Sequence, residues 1–479
     1  MLIGVADVGR VASLDCCIIG TGPAGITCAL TLAAAGLRVL LLEGGDFDWN
    51  DESQELYKGK VVGDPYHQLE AVRLRYFGGT SGHWSGWCRP LDDIDFRNKG
   101  SFGNTAWPIG KADLDPFLAD ASAMLELTPL TPDEGLLESS LKRIHFAYSP
   151  PVRFGEKYRE AILSSSTIHL ALGANVTSIN SSGGTVGDVT VETFDGQKVK
   201  VIARRYVLAT GGIENSRILL WSNVANGGQV VSNTSALGRF WMEHPHFTLG
   251  DAIVKRELAA VDPGSESTDF FSLVPEKQEG LDVLNCGLRL KYRDHAGTAG
   301  VIEDIACVAP RFGKWALEQL GKGLVCGPQL RAAWEQEPRA ENEVTLSATE
   351  RDRFGVPLTE LHWRKSKNDL RTVRVTALEF GNFLVKSDLG RLKIHDWVLG
   401  RGDYPMNDEL AGAHHMGGTR MSDDPSRGVV DSNCRVHGQD NLYVAGSSVF
   451  PSTGHANPTL TIVQLSLRLG KHLAAALKH

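Results

Sequence analysis

Two stretches near the end of the chain carry residue types that can take a proton from a hydroxyl group. One is Gly412-Ala413-His414-His415-Met416-Gly417-Gly418-Thr419-Arg420-Met421. The other is Ser452-Thr453-Gly454-His455-Ala456-Asn457-Pro458-Thr459. Taking a hydride from a carbon that bears a hydroxyl requires a base for the hydroxyl proton. A histidine suits this, because an ordinary pKa of about 6.5 leaves neutral imidazole available near neutral pH. A second polar group must hold the developing alkoxide, and an amide or a second imidazole can do so. His414, His415, His455 and Asn457 are the candidates. His414 and His415 are adjacent, so an extended backbone would turn their rings to opposite sides. Pro458 suits the first position of a helix, where its missing N–H costs nothing. A helix starting there would turn its positive end toward the preceding residues.

Such chemistry needs an acceptor for the hydride, and the start of the chain reads as a place to hold one. Residues 14–19 form a short apolar strand, followed by Gly20-Thr21-Gly22-Pro23-Ala24-Gly25 and an Ala/Leu-rich helix that Gly36 stops. Residues 39–42 form a second strand that ends on Glu43. This is a βαβ unit with Gly-x-Gly-x-x-Gly at its first turn. Gly20 permits the tight turn, Gly22 lets the backbone approach a pyrophosphate, and Gly25 lets helix and strand pack closely. Glu43 is placed to accept hydrogen bonds from ribose hydroxyls. The glycines alone are weak evidence. The strand before them, the helix after them and the acid ending the second strand make the motif specific.

The remaining elements must fold around these two ends. Residues 45–106 read as irregular and contain Tyr76-Phe77-Gly78-Gly79-Thr80-Ser81-Gly82-His83-Trp84-Ser85-Gly86. An amphipathic helix is expected over 111–127 and another around 156–163. Residues 168–205 alternate and are broken at Ser181-Ser182-Gly183-Gly184 and Asp195-Gly196, the pattern of an antiparallel meander. Residues 206–209 read as a further buried strand, leading into Thr210-Gly211-Gly212. Residues 246–395 carry fewer glycine motifs and suit a sheet-based insertion. Glycine-punctuated strands return over 410–479, with a last helix from 458 to 477. The expected architecture is α/β. A Rossmann-like dinucleotide-binding domain is built from 1–245 and 396–479, and a sheet-plus-helix substrate domain is inserted at 246–395. His244 and His246 lack a third ligand at suitable spacing, so no metal is expected.

Gly20–Gly25 with Glu43-Gly44-Gly45 resembles the opening of flavoproteins. Ala209-Thr210-Gly211-Gly212-Ile213-Glu214-Asn215-Ser216-Arg217 is similar to the second strand–glycine segment that closes over their FAD. With the C-terminal histidine stretches and Asn441-Leu442-Tyr443-Val444-Ala445-Gly446-Ser447, the chain resembles the glucose–methanol–choline (GMC) oxidoreductases. The resemblance covers both ends and the middle of the dinucleotide domain and is weakest over 246–395. It implies FAD held by Gly20, Gly22, Pro23, Ala24, Gly25, Glu43 and Gly44. It adds Gly78, Gly79, Thr80, Ser81, His83 and Trp84 from the second loop, then Val176 and Gly211. Gly446, Ser447, Asn457, Pro458 and Thr459 complete the set. It also implies His414 as the base and Asn457 as the group that holds the substrate oxygen, with His455 and His415 beside the substrate.

The His/Asn pairing and His83-Trp84 resemble the pyranose oxidase-like bacterial branch, which includes glycoside 3-oxidases and C-glycoside oxidases. The implied reaction converts a secondary hydroxyl of a sugar or glycoside to a ketone, with C3 favoured and oxygen or another acceptor taking the electrons. In some relatives the histidine matching His83 is bonded covalently to the flavin. Gly82 stands where Ser or Thr often precedes that histidine, so non-covalent FAD is the favoured expectation. Other readings stay open. One is a dehydrogenase subunit serving a quinone or cytochrome partner, with a small or cytochrome electron-transfer subunit. Others are oxidation of a non-sugar alcohol, a flavin-containing lyase and a nicotinamide-dependent enzyme built on the same βαβ unit.

Composition sets outer bounds. The chain has 479 residues, 22% of them charged, which leaves room for more than one domain. The net charge of -8 is spread along the chain, and no basic block invites nucleic acid or anionic lipid. No stretch reaches the roughly 20 apolar residues of a membrane-spanning helix. Residues 1–14 carry Asp7 and Arg10 without a long apolar run, so a cytoplasmic protein is expected, with export alongside a partner left open. Cys16, Cys17, Cys28, Cys88, Cys286, Cys307, Cys326 and Cys434 include no C-x-x-C pair and are expected as free thiols.

Overall fold

Runs of consecutive apolar residues form the central sheet. Five parallel strands lie in the order Leu442–Val444, Arg205–Leu208, Cys16–Ile19, Val39–Leu42, Ile168–Ala171. Every residue of Cys16–Ile19 and Val39–Leu42 is buried, as parallel strands covered on both faces require. The computed structural model describes residues 1–11, 13–103, 105–136, 139–254, 258, 270–291, 328–406 and 410–478. Helix Pro23–Ala34 packs on the C-terminal helix Thr459–Lys478, where Gly470 allows the approach: a Cβ there would lie 2.8 Å from the Thr31 Cβ. The chain leaves Cys16–Ile19 toward Val39–Leu42 on one side and later returns to Arg205–Leu208 on the other. The crevice at such a reversal, beyond the carboxyl ends of the strands, is where α/β sheets bind ligands.

A second sheet has seven strands, in the order Gly390–Ile394, His246–Val254, Gln329–Trp334, Cys286–Lys291, Phe270–Leu273, Leu141–Ile144, Glu134–Gly135. It draws its last two strands from the chain before residue 246. Its core includes Phe247, Phe271, Leu288, Trp334 and Phe380. Helix Lys367–Lys386 contributes Phe380 and starts on a reciprocal cap, with Ser366 Oγ accepting the Asp369 N–H at 3.0 Å.

Several local expectations need correction. Residues 168–205 are not one meander. Ile168–Ala171 joins the parallel sheet beside Val39–Leu42, and only Asn175–Ser182, Thr185–Glu192 and Lys198–Val201 form the antiparallel sheet. The near-continuous burial of Ile168–Ala171 marks the difference from the strict alternation of Asn175–Ser182. The stretch read as irregular contains the strand Gly59–Gly63, which pairs in parallel with Pro357–Trp363. Two terminal glycines and partial exposure hid it. The helix expected over 111–127 is α-helical only at Leu118–Leu125, after two 3₁₀ turns with Pro116 in the second. The one expected around 156–163 breaks at Tyr158 into Phe154–Lys157 and Arg159–Ser164. The last helix starts at Thr459, and the Pro458 carbonyl accepts the Ile462 N–H at 2.9 Å, so Pro458 caps the helix from one position earlier.

Among the described residues no helix is long and apolar enough to cross a membrane. Six cysteines are buried and free, while Cys307 and Cys326 lie outside the described residues.

Candidate active site

The carboxyl ends of the central strands open on a cavity of about 480 Å³. Gly20, Gly22, Pro23 and Ala24 line it from the first turn, and Glu43 and Gly44 line it from the second strand. The Glu43 carboxylate accepts the backbone N–H of Thr21 at 3.2 Å and of Gly45 at 2.8 Å, together with the Thr21 hydroxyl. The two strand ends are thereby tied together at the cavity rim. Gly25 takes the packing role expected of it, and not the cofactor contact that the resemblance implied. It is not in the lining, because it sits against the strand turn, where a Cβ would stand 1.9 Å from the Gly20 carbonyl oxygen. At Gly22, by contrast, a Cβ would meet nothing within 4 Å. Gly22 is also the N-cap of Pro23–Ala34 and supplies no side-chain cap, so the helix start faces open cavity. Uncapped helix N–H groups in front of an open space fit a dinucleotide pyrophosphate.

The glycine-rich loop supplies Gly79, Thr80, Ser81, His83 and Trp84. It is clamped from behind. Ser81 Oγ donates to Gly78 O at 2.7 Å and accepts the Phe154 N–H at 3.0 Å, and Trp84 Nε1 donates to Val152 O at 2.9 Å. Arg153 donates to the carbonyls of Ser81 and Trp84, each at 2.9 Å. Gly78 stands outside the lining, because Gly155 approaches it: a Cβ there would lie 2.4 Å from the Gly155 nitrogen. A Cβ at Gly82 would lie 1.8 Å from Tyr76 Oη, so a Ser or Thr does not fit while Tyr76 is in place. Burial, followed by the Arg153 charge, lowers the His83 pKa below its ordinary value.

Val176, Gly211, Gly446, Ser447, Asn457, Pro458 and Thr459 also line the cavity. Asn215, which the resemblance segment contained without a role, ties two of these stretches together. Its Oδ1 accepts the Thr210 N–H and hydroxyl, each at 2.8 Å, and its amide donates to Ala445 O at 3.0 Å and Ser448 Oγ at 2.8 Å. Arg75 and Tyr57 line the cavity without having been singled out. Arg75 directly precedes the Tyr76 loop, and that adjacency was the only available signal.

His414 and His415 both line the cavity, but their rings find different partners. His414 Nδ1 lies 3.0 Å from His244 Nδ1, and His244 Nε2 lies 2.8 Å from Gly454 O. His415 Nε2 lies 3.0 Å from Tyr66 Oη, and the Tyr66 hydroxyl donates to Glu243. Ala413, at φ 54°, turns the chain sharply just before the pair. The Asn457 side chain makes no hydrogen bond among the described residues. His455, expected beside the substrate, is absent from the lining and only 2% exposed. Its ring is held behind the wall, with Nε2 3.9 Å from Asp92 and Phe146 alongside. The turn at Gly454 (φ 55°) sends His455 inward, while Asn457 reaches the cavity. Among the described residues no group of His, Cys, Asp and Glu is arranged to hold a metal, and both ring nitrogens of His244 are engaged as above.

Burial keeps these imidazoles uncharged. It is the first cause, with His246 the second, of a His414 pKa pushed down to about 3. It pushes His455 down to about 4, with the Arg89 charge next. His244 and His415 also fall well below the ordinary value, again through burial first. Each group is therefore neutral in the fold at a pH where it would take a proton in the unfolded chain. The stability they contribute is complete above about pH 6.5 and is lost as pH falls toward their folded pKa values. Glu243 and Asp369 act in the opposite sense: burial raises each to about 7, so their contribution is lost as pH rises through that value. Below pH 6.5 the four histidines dominate, each adding up to about 1.4 kcal/mol per pH unit to the slope. Calorimetric melting of the holoenzyme is expected to give a lower Tm at pH 4.5 than at pH 6.5. Equal values would show that these rings are protonated in the fold.

Comparison with known proteins agrees with this geometry. Residues 15–48 match the FAD binding domain, and residues 338–466 match the GMC oxidoreductase family. The fructose dehydrogenase large subunit of Gluconobacter japonicus is 25% identical over 59% of this chain and 49% of its own length. The 2-methyl-1,2-propanediol dehydrogenase of Mycolicibacterium austroafricanum is 23% identical over 96% of this chain and 95% of its own length. The C-glycoside 3-oxidase of Microbacterium trichothecenolyticum is 30% identical over 32% of this chain and 27% of its own length. The chain thus spans about half the length of the fructose enzyme and nearly all of the diol enzyme. Among solved structures, pyridoxine 4-oxidase from Mesorbium loti superposes with a TM-score of 0.59 at 16% identity, covering 96% of this chain and 99% of that one. The fold, the cavity at the strand ends and these matches agree: residues 338–466 carry the GMC oxidoreductase pattern, residues 15–48 carry that of an FAD binding domain, and FAD is the cofactor they indicate.

Proposed function

We propose that this protein oxidises a secondary hydroxyl of a sugar or glycoside to the keto-sugar, with C3 of the ring as the favoured position. The observation that carries the reading is the wall shared by His414 and Asn457, an imidazole and an unpartnered amide on the same cavity as the dinucleotide cradle. FAD, when bound, supplies the hydride acceptor. His414 takes the hydroxyl proton at Nε2, the nitrogen its neighbours leave free. The Asn457 amide donates to the oxygen as negative charge builds on it. The start of helix Thr459–Lys478 stands beside Asn457 and adds a positive dipole at this end of the cavity. Gly20, Gly22 and the helix start of Pro23–Ala34 hold the pyrophosphate, and Glu43 takes the ribose hydroxyls. The sugar preference rests on the His/Asn pairing, on His83-Trp84 and on the similarity to the C-glycoside 3-oxidase and the fructose enzyme.

A second reading concerns the electron acceptor and the alcohol. One relative, matched over 95% of its own length, is a dehydrogenase of a small diol, which favours a separate acceptor and a non-sugar substrate.

The test is an anaerobic titration of the purified yellow protein, followed by admission of air. The panel is D-glucose, D-fructose, methyl β-D-glucoside, a C-glucoside and 2-methyl-1,2-propanediol. Bleaching of the flavin absorbance by a sugar or glycoside, with recovery in air, is the expected result. Product analysis then locates the carbon. Bleaching by the diol alone would overturn the sugar assignment, and bleaching that air does not reverse would favour the separate acceptor.

A further inference from the structure

We propose that His244 is a positioning residue that locks His414 in one tautomer, and that Glu243 fixes the backbone from which both rings hang. The proposal rests on the reading of His414 as the base. The pair Glu243-His244 lies far from the histidine stretches in sequence and has no role in the cofactor cradle.

The lock follows from partners that admit one arrangement of protons. Gly454 O has no proton to give, so His244 Nε2, at 2.8 Å, must be the donor. A neutral ring carries one N–H, which leaves a lone pair on His244 Nδ1. That atom faces His414 Nδ1 at 3.0 Å, so His414 Nδ1 carries the hydrogen and donates it. The lone pair of His414 then resides on Nε2, which has no partner among the described residues.

The frame is equally specific. One oxygen of Glu243 accepts the backbone N–H of His244 at 2.8 Å and of His414 at 2.7 Å. Around it, Met242 and Met416 exchange backbone hydrogen bonds at 2.8 and 3.0 Å, and the Gly412 N–H donates to His244 O at 3.0 Å. Both imidazoles are thus fixed to one buried carboxylate and one short antiparallel pairing. Glu243 and His244 are each fully buried, at 0% exposure, and a buried polar array with every bond made is rigid.

The same array decides where the proton goes. When the substrate O–H bond breaks and an Nε2–H bond forms, His414 becomes an imidazolium that still donates from Nδ1 to His244. Beyond His244 stands an amide carbonyl, which is too weak a base to pass a proton on. The array therefore confines the proton to the two imidazoles and does not export it. It is a lock and not a relay.

The test uses the holoenzyme and three variants. In [15N]histidine-labelled wild type, NMR should show one histidine, identified by its loss in His414→Gln, with a protonated Nδ1 and a bare Nε2. His244→Phe keeps a planar ring but offers no acceptor, and this signature should disappear. His244→Asn offers an amide oxygen to His414 and an amide N–H to Gly454, and the signature should return. Stopped-flow bleaching by the most reactive of methyl β-D-glucoside, D-fructose and 2-methyl-1,2-propanediol should be slowed about 10- to 100-fold in His244→Phe, with half-saturation unchanged and most of the rate restored in His244→Asn. A wild-type His414 that carries its proton on Nε2 overturns the lock, and so does wild-type bleaching in His244→Phe. If His244→Phe does not fold, the wild-type tautomer and His244→Asn still decide. Wild-type bleaching in His414→Gln would instead remove the base assignment, and the NMR signature would judge the lock by itself.

Discussion

His414→Ala is expected to purify yellow and to bleach about 10²–10⁴-fold more slowly than the parent under saturating substrate, the range that loss of a general base commands. The fold should tolerate the change. Glu243 holds residue 414 through its backbone N–H, which alanine keeps, and the cofactor cradle contacts other residues. The substitution therefore removes the proposed proton acceptor and leaves the rest of the wall in place. Stopped-flow bleaching separates the two quantities that matter, with a lowered limiting rate and little change in half-saturation. Added imidazole should recover part of the rate, because the vacated ring volume adjoins the cavity. Since His414 is pushed down to about 3, its neutral form persists far below the pH at which an ordinary histidine would be protonated. The acid limb of kcat/KM should accordingly lie well below pH 6.5 in the parent. A His414→Ala protein that bleaches at the parent rate would remove the assignment. The next candidate would be His415, whose Nε2 is engaged by Tyr66 and whose Nδ1 would have to act.

The cradle was legible because several levels of the sequence agreed there. Strand apolarity, the three glycines, the helix stop at Gly36 and the acid at position 43 are all local, and each constrains the same turn. The wall of His414 and Asn457 was legible for a different reason: the histidine and amide lie in short stretches whose glycines and proline set the backbone. What stayed hidden depended on contacts between distant segments. Glu243 and His244 reach His414 only because Met242 pairs with Met416, and nothing local to either stretch announces that pairing. Glu243 read as one more charge, although it is buried and accepts three donors. The strand Gly59–Gly63 depends on Pro357–Trp363, some three hundred residues later, and carries no apolar alternation of its own. His455 was misplaced because the direction of a side chain after Gly454 depends on that glycine's φ, which residue type alone leaves open. Tertiary pairing therefore supplied the part of the site that local pattern could not.

Gly22→Val should yield a folded, colourless protein, whereas Gly25→Ala should fail before the cofactor is in question. The two glycines share one motif, but their surroundings separate them. At Gly22 the backbone has φ -67°, which any residue adopts, and a Cβ would meet nothing within 4 Å. Valine there projects into the space in front of the helix start, where the pyrophosphate is proposed to approach the N–H groups, so the protein should keep its packing and lose its ligand. At Gly25 a Cβ would stand 1.9 Å from the Gly20 carbonyl oxygen. That atom is fixed in a turn at the end of a fully buried strand, so the helix must move off the sheet. Absorbance at purification and a thermal melt read the two effects separately. Gly22→Val should have no flavin band and should melt near the parent apoprotein. Gly25→Ala should melt lower than the parent apoprotein or be insoluble. A yellow Gly22→Val with parent affinity for FAD would mean that the pyrophosphate lies elsewhere in the cavity, and the assignment of this turn would have to be withdrawn.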